Sequence, residues 1–144
     1  MARACVLLLY DMLLVRLAVE DYKYQRIKNR YVQMILMLSA AGWLIMPEIT
    51  LWSRVMGMFV VSLPMFLFRM CFPGSFGGGD VKLTFACGAF LGLELSVKGT
   101  VIAVFLAGIY CIYLICTNRK QKNMQFALGP FLSAGYMIAA FTLF

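Results

Sequence analysis

The sequence predicts an all-α integral membrane protein of about six transmembrane helices joined by short loops, with both termini on the outer side. Three observations carry that expectation. Hydrophobic residues make up 63% of the 144 positions and charged residues only 13%, against about 25% charged in a typical soluble domain, and mean hydropathy is +0.88. The apolar residues fall in runs near the roughly 17 to 25 residues that cross a hydrocarbon core, with little sequence between them. Lysine and arginine collect in alternate loops, the pattern that sets orientation.

The first run, Ala4 to Val19, is short and carries Asp11 and Arg16; it reads as a span and not a cleaved signal, because no small-x-small site precedes Glu20-Asp21. The second and third are Tyr31 to Met46 and Trp52 to Phe72. A short fourth, Val81 to Leu95, and a fifth, Gly99 to Cys116, are separated by polar residues around Lys98. The sixth is Phe126 to Phe144, with Gly129-Pro130 breaking the backbone near its start. The odd loops hold Lys23, Arg26, Lys28 and Arg30, then Arg69 and Lys82, then Arg119, Lys120 and Lys122. The even loops are poor in positive charge, with Lys98 in the fourth and Arg54 near the second, and Glu48 and Glu94 lie on that side. The odd loops are therefore expected on the cytoplasmic side. The net charge of +7 is then a topology signal with some attraction to anionic headgroups. It gives no nucleic-acid footprint, because no soluble basic face exists to carry one.

The five cysteines, Cys5, Cys71, Cys87, Cys111 and Cys116, contain no Cys-x-x-Cys pair, and histidine is absent. The common zinc-ligand spacings are missing, so neither metal nor cofactor is expected, and no histidine triad can form.

Acidic residues are the informative ones, since only six occur in the whole chain. Asp80 directly follows Gly77, Gly78 and Gly79, at the cytoplasmic start of the fourth run, and Asp21 closes the first run on the same side. Two carboxyls brought together cannot both ionise cheaply, so the pair holds one proton near neutral pH. The ionised member can activate water against a peptide carbonyl while the protonated one donates to the carbonyl oxygen. Glycines beside such an acid permit positive φ and close backbone approach, enough for an extended substrate to lie along the carboxylate. Lys82 can steady Asp80, contact substrate backbone, or anchor the helix at the headgroups. Asp80 can equally be a helix N-cap, Asp11 an internal structural partner, and paired carboxylates suit a cation-binding transporter subunit, although inverted repeats are not evident.

These residues resemble a known family. Gly77-Gly78-Gly79-Asp80 forms a GxGD motif, Asp21 to Asn29 is similar to the first aspartate segment of the type IV prepilin peptidases, and Phe126-Ala127-Leu128-Gly129-Pro130-Phe131 is similar to their closing Phe-Gly-Pro-Phe stretch. Lys28 stands where the family pattern Arg-Ile-Pro-Asn has proline. The resemblance implies one peptidase domain over 1–144, an aspartyl dyad of Asp21 and Asp80, and a substrate that is a prepilin or pilin-like protein with a basic leader and an apolar helix. It implies cleavage at the cytoplasmic face of the cell membrane, in a short form without the N-methylation region. The GxGD motif also resembles the presenilin group, whose Tyr-Asp partner motif is not apparent. A non-enzymatic pilus-assembly membrane subunit is the remaining alternative.

Overall fold

Backbone that runs through hydrocarbon must satisfy its polar groups internally, which favours helices, and no strand occurs among the described residues. The computed structural model describes residues 1–74, 77–117 and 127–143. It contains α1 (Ala2–Tyr24), α2 (Asn29–Ile45), α3 (Leu51–Cys71), α4 (Gly78–Cys116) and α5 (Gly129–Phe141). Phe126, Phe144 and the basic residues Arg119, Lys120 and Lys122 lie outside the described residues.

Each helix has one stripe in the core and an apolar remainder. On α1, Leu7, Tyr10, Leu14 and Leu17 are buried at helical spacing, while Leu8, Leu9, Met12 and Val15 point outward. A helix apolar on both faces suits a bilayer and not water. Two helices, α3 and α4, are long and apolar enough to cross a membrane. The central element is α4: α3, α5 and α2 pack on it, and α1 packs mainly on α5 and α2. Small residues let α3 approach closely, for a Cβ on Gly57 would stand 2.7 Å from the Gly88 carbonyl oxygen. Tyr10 of α1 stacks on Phe90 of α4, with ring centroids 4.2 Å apart.

The expected loop between the fourth and fifth runs is absent. Helix α4 instead continues through it and breaks earlier, at Gly92, where φ is 80° and ψ −178°. Only glycine occupies that region without strain. Glu94, near the end of the expected fourth run, and Lys98, read as loop, form an i,i+4 pair at 2.5 Å on an exposed helical face.

A break inside a buried helix strands carbonyls, and Arg54 collects them. Its guanidinium, 4% exposed, donates to Ala89 O and Phe90 O at 3.2 Å each, just before the break. It also donates to Gly42 O at 3.3 Å and Met46 O at 3.5 Å, at the C-terminal end of α2. Ser39 Oγ donates to Ala89 O at 2.6 Å, and Ser53 Oγ accepts the Leu93 N–H at 3.0 Å. Arg54 is thus an internal cap for two helix ends, where the sequence suggested a loop charge.

Replacing Arg54 with Met is expected to destabilise the fold by several kcal/mol, since each buried carbonyl left unpaired costs ~1–3 kcal/mol. Arg54→Lys should recover only part, because a point charge cannot span both helix ends. Thermal unfolding in detergent measures both.

Candidate active site

Asp21 lies in the last turn of α1, which ends where Gln25 turns left-handed (φ 51°) and returns its N–H to Asp21 O at 2.8 Å. The side chain of Asp21 is 5% exposed. Asp80 is the third residue of α4, behind the N-cap Gly77, and is 7% exposed. Its carboxylate accepts the Gly77 backbone N–H, the reach from third residue to N-cap that forms half of a capping box. Thr84 Oγ1 donates to Asp80 O at 3.0 Å.

Three separate stretches of chain converge here. The Gly129 N–H, in the first turn of α5, donates to the Asp21 carboxylate, and a Cβ on Gly129 would stand 2.7 Å from Asp21 Cγ. The segment after Asp21 folds onto the glycine run: a Cβ on Gly79 would meet Ile27 Cβ at 2.7 Å. Lys82 Nζ donates to Asn29 Oδ1 at 3.1 Å, tying the starts of α2 and α4 together. The Arg69 guanidinium lies against Gly78, so a side chain there would have to displace the end of this flexible arginine.

The glycines therefore work differently from the sequence expectation. None of Gly77, Gly78 and Gly79 has positive φ, and the last two are helical. The close approach that requires a glycine is that of Ile27, whose Cβ rests on Gly79. Lys82 is turned to Asn29, not to Asp80. Glu20 is occupied elsewhere, accepting Tyr31 OH at 2.9 Å and Lys28 Nζ at 3.3 Å, and the Tyr31 hydroxyl, followed by Lys28, holds its carboxyl below the usual range. Asp11 sits halfway along α1, at a distance in sequence and depth from this end.

Both aspartates precede or follow the apolar runs, at one end of the bundle. Burial raises Asp80, and the charge of Asp21 raises it further, to about 6, against the opposing Gly77 N–H. Burial also raises Asp21, opposed by the Gly129 N–H. No ion pair reaches either carboxylate among the described residues. Two interacting buried acids without a cation favour one shared proton. No three His, Cys, Asp or Glu side chains gather as a metal site among the described residues.

A model of the type IV leader peptidase family matches residues 7–112. The chain belongs to that family. It is also 28% identical over 127 residues to the prepilin leader peptidase/N-methyltransferase of Bacillus subtilis (strain 168), covering 88% of this chain and 51% of that protein. The chain therefore spans about half the length of this relative. No solved structure matches it.

Within this type IV leader peptidase fold, the departure at Lys28 has a simple geometry. Lys28 has φ −70° and ψ 131°, close to the angle a proline ring imposes. Asn29, Arg69 and the Gly129 amide escaped the sequence reading as site residues; Gly129-Pro130 was visible only as a helix start.

Lys28→Pro is expected to change stability by no more than ~1 kcal/mol, the rigidity gained offsetting the exposed ion pair to Glu20; a large loss on thermal unfolding would contradict this backbone reading. For Asp80 the sign is opposite to that of a paired carboxylate. Its folded pKa of about 6 exceeds the ordinary 3.8, so stability is full below the lower value and declines as pH rises through the upper one. Unfolding scans across pH 4 to 8 should show that decline in the wild type and a much flatter profile, with higher stability at pH 8, in Asp80→Asn.

Proposed function

We propose that the protein is a membrane aspartyl endopeptidase that removes the basic leader from type IV prepilins or pilin-like proteins at the cytoplasmic membrane face. The observation that carries this reading is the meeting of Asp21 and Asp80 at one end of the bundle, both buried and with no ion pair among the described residues. Asp21, held by the Gly129 N–H, is the ionised member and takes a proton from the attacking water. Asp80, the more readily protonated, donates to the carbonyl oxygen as the tetrahedral intermediate forms. Collapse of that intermediate breaks the C–N bond, and the departing amine receives the proton held at the dyad. Substrate backbone reaches this end through the cytoplasmic boundary, with the leader outside the bundle and the apolar helix in the bilayer.

Co-expression with a prepilin tests the assignment. Asp21→Asn and Asp80→Asn should each lower processing by about 10²–10⁴-fold while remaining inserted in the membrane. Processing retained by either variant removes that residue from the dyad.

A further inference from the structure

Helices α2 and α3 both pack on α4, but they part from each other and leave a groove of about 380 Å³ above it. That volume lies at the small end of the ligand-pocket range of about 300–1,000 Å³. One wall is Val32 and Leu36 of α2, and the floor is Val81 and Phe85 of α4. The other wall runs from Phe66 through Leu63 to Phe59 on α3, about 10 Å along the helix axis. These three side chains are half-exposed.

From this geometry we infer that the groove receives the apolar helix that follows the scissile bond of the substrate. The inference rests on the peptidase reading above and says which surface holds the substrate. Two features select this occupant. First, the groove is continuous with the carboxylate pair: Val81 and Lys82, which line it, are the two residues after Asp80. A helix lying along it delivers its end to the acids. Second, its chemistry admits hydrocarbon and refuses the leader. Among the described residues the one hydroxyl in the lining, Ser62, donates to its own helix at Met58 O, and the Lys82 ammonium is held at the rim by Asn29. The interior thus offers no acceptor to a lysine or arginine, while the cations Lys82 and Arg69 near the mouth repel a basic segment. A substrate that is basic before the cut and apolar after it can enter in one direction only, with its apolar part seated and its leader left outside.

Groove-filling variants of the full chain test this with two probes. One is a prepilin with basic leader and apolar helix; the other is a soluble peptide with the same leader that ends about six residues after the cut. Leu63→Trp and Leu36→Trp should raise KM for the first by about tenfold or more, since one large apolar side chain is worth at least that in affinity. Cleavage of the second should be unchanged, and Val101→Trp, on the exposed outer face of α4, should alter neither. A photo-crosslinker at Leu63, in the Asp21→Asn background, should join to the apolar helix of the prepilin. An unchanged KM in the Trp variants, or crosslinks to lipid alone, overturns the groove assignment. If the wild type cleaves neither probe, the peptidase reading falls, and the crosslink still decides what occupies the groove.

Discussion

Backbone carbonyls that water cannot reach must find donors inside the protein, and this constraint governs the break in α4. The chain needs the helix to change course at Gly92, yet a change of course removes hydrogen bonds from the turn before it. Arg54 supplies the donors, and because the same guanidinium also reaches Gly42 O and Met46 O, it couples the far end of α2 to the far end of the arm that carries Asp80. Position at one end of these helices thus depends on a cap at the other. Close packing of α3 through Gly57 and Gly88 brings Arg54 to where both ends can be served.

The other end accepts an electrostatic cost. Two acids in the same buried region repel, and among the described residues the fold offers them backbone N–H groups and no ion pair. One comes from Gly77 and one from Gly129. An amide stabilises an ionised carboxylate less completely than a bidentate arginine would, so the pair keeps a proton within reach of neutral pH. Packing, not charge, holds the pieces in place: Ile27 rests on Gly79 and Asp21 on Gly129.

Much of this was legible in the sequence, and the reasons for the remainder are physical. Apolar composition identified an all-helical chain, and the rarity of acids pointed to Asp21 and Asp80. Boundaries set by hydropathy failed where polarity and geometry diverge. Glu94 and Lys98 are polar because their helical face is exposed, whereas the real break lies at Gly92, where a backbone angle and not polarity makes the interruption. Arg54 looked like a topology charge because its carbonyl partners lie 5 to 36 positions away, on three different segments of the chain. The role of the glycine run was misread for a related reason: composition reveals that small residues are needed but not which neighbour requires the space.

The two buried carboxylates are carried by helices that mostly meet through intermediaries. Helix α1, bearing Asp21, packs chiefly on α5 and α2, and α4, bearing Asp80, packs on both of these as well. Two links therefore set the relation of the acids: Gly129 of α5 against Asp21, and the Ile27 to Asn29 segment against Gly79 and Lys82. Helix α2 also forms a wall of the proposed substrate groove through Val32, one turn beyond Asn29. On the proposed reading, a substrate helix seated there would contact the element that joins the two acid-bearing segments, and docking would then be linked to carboxylate spacing. Under that reading, binding energy from an apolar segment that never reacts would serve to bring the two acids into register with the scissile bond.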